Sequence, residues 1–235
     1  MRQTVMTVTR PIVFVAILVC AVLSTKIASA VEATSSLKQA HINLDKKTIN
    51  KGLQVFTDVC MGCHSARYLT YHDLMDYPMF GLTRKEAQDL SGGQPLTAAM
   101  MSSLPPEAAK QSFGVAPPDL SIIAKAREGK GDYIYSLLTG YGHDPKGNIP
   151  DGNYNEYFPG HRIAMPDPLG WLNRDASDTD SLKEQARDVA SFLVYISDPH
   201  QIERHAIGKW VMIFLVVLTL VFYLLKRAVW KDVKH

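Results

Sequence analysis

The chain has 235 residues, 46% of them hydrophobic and 20% charged, and a formal net charge of +2 that hides an uneven distribution. Residues 31–205 carry 22 Asp and Glu against 17 Lys and Arg, a formal −5, while the two ends carry 8 basic residues and 1 acidic one. An acidic domain of this size excludes nucleic acid as a partner and suits a basic soluble protein brought in by electrostatic steering.

In chain order, Arg2 and Arg10 precede an apolar run from Pro11 to Leu23, and Ala28-Ser29-Ala30 follows it. That charged, apolar, small-residue order predicts a secretory signal over 1–30, cleaved after Ala30. The run is shorter than the roughly 20 residues a bilayer span needs. Bulky Val19 does not suit a lipoprotein signal at Cys20, and Lys26 is the one residue out of keeping. So short a signal points to a bacterial envelope rather than to an Arg- and Ser-rich mitochondrial presequence.

From Thr48, the residues Ile49, Leu53, Phe56 and Val59 recur at spacings of four and three, the pattern of one helical face. Gly52 lies one turn before Phe56, where the lack of a side chain lets a second helix cross closely. The helix runs into Cys60-Met61-Gly62-Cys63-His64. Two cysteines three apart with histidine directly after them is the spacing of covalent haem c attachment. Both thiols reach one edge of the porphyrin, and the next residue's imidazole is then held beneath the iron. A C-x-x-C pair also serves as a redox dithiol or as half a zinc site. The trailing His and the lack of another cysteine in the mature chain weigh against both. Export agrees, because close thiols in an oxidising compartment tend to pair unless a cofactor takes them.

Between Asp73 and Pro106, Thr83-Arg84-Lys85-Glu86 has capping-box form and predicts a short helix ended by Ser91-Gly92-Gly93. Pro117-Pro118-Asp119-Leu120-Ser121 reads as extended chain leading to a helix through Arg127 that stops near Gly129. Asp132 is expected to cap a further helix with Tyr133, Leu137 and Leu138 inward and Gly140 at its end. Tyr141 to Arg162 has no period, and its aromatic residues Tyr154, Tyr157 and Phe158 predict an ordered loop. A capping box at Ser181 and Glu184 predicts the last domain helix, with Leu182, Ala186, Val189, Leu193 and Ile196 along its face and Phe192 and Tyr195 beside them. Asp198-Pro199 stops it. This helix is expected to cross the first over Gly52 and Phe56. No segment alternates with period two, so little or no sheet is expected.

Ile207 to Leu225 is apolar apart from Lys209 and Thr219, and at 1.5 Å per residue reaches roughly 28 Å, close to one hydrocarbon core. Trp210, Tyr223 and Trp230 sit near its ends as interface aromatics do, and Lys226, Arg227, Lys231 and Lys234 crowd the far side. The expected order is a domain over 31–205, an anchor over 206–227 and a cytoplasmic tail over 228–235.

A haem that shuttles electrons needs a sixth ligand. The candidates are Met75, Met79, Met100, Met101, Met165, His72, His143, His161 and His205. Met165 stands apart, because prolines after it in Ile163-Ala164-Met165-Pro166-Asp167-Pro168-Leu169 stiffen the loop that presents it. Thioether ligation also raises the potential relative to two histidines.

In order, Lys51-Gly52-Leu53-Gln54-Val55-Phe56, the haem motif, Tyr71-His72-Asp73-Leu74, Pro117 to Ser121, Asp132-Tyr133, Ser136 to Tyr141, Tyr157-Phe158-Pro159-Gly160, Ile163-Ala164-Met165-Pro166 and the C-terminal anchor ending in Lys226-Arg227 together resemble the cytochrome c1 family. Its members are the haem subunits of the cytochrome bc1 complex (ubiquinol–cytochrome c reductase), and the likeness spans nearly the whole mature chain. The resemblance implies an all-α, class I cytochrome c-like domain with one C-terminal transmembrane helix. It implies one covalent haem c on Cys60 and Cys63, iron ligands His64 and Met165, Arg127 and Tyr133 at the propionates, and Pro117 and Pro118 in the pocket wall. It further implies electron transfer from the Rieske iron–sulfur protein to a soluble cytochrome c, beside cytochrome b in a dimeric complex, with the domain in the periplasm and the anchor in the bacterial inner membrane. The chain alone is then an electron carrier, and the enzyme is the quinol–cytochrome c oxidoreductase it joins. A tethered carrier acting alone and a haem peroxidase are the other classes the residues allow. Two features depart from the family pattern. Ser112-Phe113 stands where relatives often have an Asn pair, and Asp167 interrupts the usual proline run.

Overall fold

The computed structural model describes residues 36–150 and 152–232; the expected signal over 1–30 lies outside them. The first helix, α1 (Lys46–Val55), starts at Asp45, whose carboxylate accepts from the Thr48 amide and satisfies one of the end donors. It passes into a π-helical turn, Phe56–Cys60, closed by the Met61 amide donating to the Phe56 carbonyl at 2.8 Å. A π-turn admits one extra residue per turn and is common beside functional sites. Here it delivers Cys60 at its last position.

After the motif, β1 (Ala66–Thr70) pairs antiparallel with β2 (Ala99–Met100), Ala66 opposite Met100 and Thr70 opposite Ala99. Between them lie α2 (Asp73–Asp76) and α3 (Arg84–Ser91). The capping box on α3 forms as expected: Thr83 accepts from the Glu86 amide while the Glu86 carboxylate accepts from the Thr83 amide, and Gly92 closes the helix in the left-handed conformation. Then come α4 (Pro106–Phe113), α5 (Ile123–Ala126), α6 (Lys130–Leu138), a 3-10 turn at Trp171–Asn173 and α7 (Thr179–Ser197). The domain is thus helical, with two short strands as its regular sheet among the described residues.

The core is the crossing of α1 on α7. A Cβ placed on Gly52 would lie 2.1 Å from the Asp188 carbonyl oxygen and 2.6 Å from the Phe192 Cβ, so only a hydrogen fits there. The Phe56 and Phe192 rings meet at 5.2 Å, and Phe80 and Tyr195 extend the aromatic cluster. Ala186, Val189, Leu193 and Ile196 are buried as their spacing predicts. Phe192 and Tyr195 do more than flank that stripe, since both are fully enclosed.

Two helix starts differ from expectation. Asp132 does not cap α6: the helix begins two residues earlier, after Gly129 at φ 81°, and the Asp132 carboxylate instead accepts from the Ala40 amide. Ser181 and Glu184 form no capping box either. The α7 helix begins at Thr179, and Glu184 is drawn across to Lys51 on α1. In both cases a tertiary partner outcompetes the local one. The helix expected to run through Arg127 is only four residues long, and Arg127 itself is extended.

Beyond the domain, α8 (Gln201–Val229) is long and apolar enough to cross a membrane, and none of its side chains is buried in the protein. It contains the whole expected anchor over 206–227. Asp198 joins the two parts: its carboxylate accepts from Arg204 on α8 and pairs with Lys125 on α5 at 3.0 Å. These partners hold its pKa down at about 2.

Candidate functional site: an apolar cavity between the motif and the methionine loop

Cys60, Cys63, His64, Pro117, Pro118, Arg127, Tyr133 and Met165, the eight residues singled out in the sequence, all line one cavity of about 670 Å³. None of the competing candidate ligands, Met75, Met79, Met100, Met101, His72, His143, His161 or His205, is on its wall. Met100 instead fills the core, where it is wholly enclosed.

The motif side is built by the π-turn and by the segment after the Pro-Pro pair. The Ser65 carbonyl accepts from the Leu120 amide, the Asp119 carboxylate from the Arg67 amide, and the Ser121 hydroxyl from the Tyr68 amide. This lacing presses Pro118 against the motif. Its carbonyl then takes a 2.7 Å bond from His64 Nδ1. A carbonyl only accepts, so Nδ1 carries the proton and Nε2 keeps its lone pair for a metal. Burial lowers the His64 pKa, outweighing the opposite pulls of Pro118 and Asp119, and favours the neutral, ligating form. Pro118 was expected as pocket wall; its carbonyl turns out to orient the imidazole, which residue identity alone does not reveal.

Cys63 is exposed, while Cys60 is half-buried, and the two remain unpaired thiols. Burial pushes the Cys60 thiol up to about 12, and the neighbouring Cys63 adds to that rise. Cys60 lines the cavity, and its burial there leaves a thiolate poorly solvated.

The methionine side has its own small core of Tyr141, Ile163 and Trp171, against which Leu137, Phe158 and Met165 pack. Buried Asn155 organises it, donating to the Leu137 carbonyl at 2.7 Å and accepting from the Tyr157 amide at 3.1 Å. Asn153 and Ile163 exchange two bonds through the Ile163 amide and carbonyl. The Tyr141 hydroxyl donates to the Met165 carbonyl at 3.1 Å, fixing the ligand candidate by its backbone; burial, reinforced by nearby Asp167, raises its pKa. Asp167 accepts from the Leu169 and Leu172 amides. The residue that breaks the proline run therefore restrains the loop by hydrogen bonds where proline would restrain it by its ring.

The remaining wall is apolar apart from Arg162, with Leu137, Leu138, Val189 and Leu193 from α6 and α7. Tyr133 and Leu137 are half-buried rather than enclosed because their open faces line the cavity. Among the described residues, no Asp, Glu or Lys is on the wall. A flat, apolar, dianionic macrocycle fits this donor set: two thiols, an imidazole and a thioether on one cavity wall, and guanidinium groups for its carboxylates. The volume is also in the range of cofactor sites.

A family model described as the Cytochrome C1 family matches residues 36–102 and 93–233. The chain belongs to the cytochrome c1 family. Cytochrome c1 of Rhodospirillum rubrum is 34% identical over 227 residues, covering 81% of this chain and 84% of that protein. Cytochrome c1 of Blastochloris viridis is 32% identical over 232 residues, covering 81% and 82%. The mitochondrial cytochrome c1 heme protein of Schizosaccharomyces pombe is 34% identical over 211 residues, covering 81% and 69%. Within the cytochrome c1 family the activity is electron transfer, which a largely apolar cavity suits.

Proposed function

We propose that this chain carries one haem c in the cavity and relays electrons within a quinol–cytochrome c oxidoreductase. Cys60 and Cys63 would attach the haem, and His64 and Met165 would be the ligands of its iron. Bound there, the haem supplies one-electron exchange between ferric and ferrous iron. The chain's own part is to orient His64 through Pro118, to fix Met165 through Tyr141, and to keep water from the metal with Leu137, Leu138, Val189 and Leu193. Pro117 and Pro118 shape the wall, and Arg127 and Tyr133 receive the propionates. Quinol oxidation belongs to cytochrome b; this subunit takes the electron from the Rieske protein and hands it to a soluble cytochrome c. The complex is a dimer, with residues 1–30 removed after export, the domain of 31–205 in the periplasm and α8 in the bacterial inner membrane.

The carrying observation is that the motif and Met165, far apart in sequence, line one cavity that excludes every other candidate ligand. A haem stain of the purified chain tests attachment, and Met165→Ala tests ligation. The weak long-wavelength band of thioether-ligated ferric haem disappears in the variant if Met165 is the ligand; its persistence makes another residue the ligand. Copurification with a b-type cytochrome and quinol oxidation separates the complex subunit from a carrier acting alone. Peroxide turnover by the unaltered protein would instead mark an open sixth position and a peroxidase.

A further inference from the structure

The wall carries two guanidinium groups, and the proposed haem accounts for only one. Arg127 donates to the adjacent Ala126 carbonyl at 3.2 Å and to no carboxylate. Arg162 lines the cavity as well, and also a polar recess shared with Ser112, Asn153 and Ala164. Its guanidinium has no hydrogen-bond or ion-pair partner among the described residues. Its backbone, by contrast, is fixed. Arg162 bridges Tyr154 in antiparallel fashion, and the next residue, Ile163, exchanges two bonds with Asn153. The loop that fixes Met165 thus also fixes Arg162, three residues earlier, at the boundary between cavity and recess.

A cation on a fixed backbone, unpaired among the described residues and lining a cavity whose described wall holds no carboxylate, is a receptor for an anion that the cavity's occupant brings. Building on the haem reading above, we infer that Arg162 pairs with one of the two propionate carboxylates, with Arg127 serving the other. Guanidinium presents two parallel donors to a carboxylate, which a lysine at the same place does not. The Ser112 hydroxyl in the same recess is a further donor. Arg162 is therefore a positioning residue that also tunes the iron. Reduction adds one negative charge near the haem, so a cation that neutralises a propionate stabilises the ferrous state. Its removal leaves that carboxylate uncompensated and favours ferric iron.

The test is a redox titration of the full-length, haem-loaded chain in detergent, comparing the unaltered protein with Arg162→Lys, Arg162→Gln and Arg162→Glu. Arg162 is exposed, so these side-chain changes leave the core intact. The expected order follows charge. Lys stays near the unaltered potential, and Gln shifts the ferrous-to-ferric ratio roughly tenfold toward ferric, about 59 mV for one electron. Glu goes further, and raised salt narrows the differences by screening. Equal potentials across the series, or a loss in Lys as large as in Gln, overturn the inference while leaving attached haem and the Met165 band in place. Absence of haem from the unaltered protein overturns the cofactor reading and this inference together.

Discussion

On the His64 side of the cavity, the wall is helix against helix: α1 and its π-turn lie on α7 with Gly52, Phe56 and Phe192 interlocked. On the Met165 side there is no long helix. A loop is held there by a small apolar cluster and by Asn155, Asn153, Tyr141 and Asp167 bonding to backbone. One wall is stabilised by apolar burial, which is non-directional and large. The other depends on directed bonds, each worth about 1 kcal/mol net but costly when a buried partner is left unmet. The motif side of the cavity is thus the sturdier one, and the Met165 side is the one most sensitive to single polar changes.

Four measurements break or sharpen that contrast, in falling order of effect. Phe192→Ala removes a fully enclosed ring from the crossing and is expected to cost about 3–5 kcal/mol in denaturant unfolding, with both walls lost together. Gly52→Ala forces a methyl against the Asp188 carbonyl and is expected to cost about 1–3 kcal/mol through displacement of α1 from α7. Asn155→Ala removes the side-chain donor to the Leu137 carbonyl and leaves the Tyr157 amide without its acceptor, and is expected to cost about 1–3 kcal/mol. Its signature is local: amide exchange speeds up over 141–170 while α1 and α7 keep their protection. Equal loss of protection in both regions would show that the walls unfold as one unit.

The smallest effect is electrostatic. The folded pKa of Asp198, about 2, lies below the unfolded value near 3.9, so its contribution is complete above about pH 4 and fades as pH falls toward 2. Acid titration of unfolding should show this slope, and Asp198→Asn should flatten it. An unchanged acid limb in the variant would mean that the Arg204 and Lys125 contacts add nothing to stability.

The sturdy wall was the legible one. Ile49, Leu53 and Phe56 announce their helix by period, Gly52 announces the crossing, and Cys60, Cys63 and His64 announce the cofactor by spacing. Met165 stood out from eight other candidates by its prolines, but only the family resemblance singled it out before its place on the cavity wall was seen. What holds the loop was hidden, because a bond from Asn155 to the Leu137 carbonyl depends on three-dimensional return of the chain and has no period. The same reason defeated the caps assigned to Asp132 and Ser181, where local motifs lost to distant partners at Ala40 and Lys51. Arg162 left one signal, its position three residues before Met165, and nothing in the sequence pairs it with Arg127.

Between the end of α7 at Ser197 and the start of α8 at Gln201 lie only three residues, and Asp198 among them is gripped from both sides. So short and braced a connection leaves the domain little freedom to swing on its stalk. With α8 seated in a bilayer, the cavity rides at one altitude above the lipid. A redox partner must then travel to that altitude rather than be met halfway, and Gly residues inserted after Pro199 would widen the band of heights the site can visit.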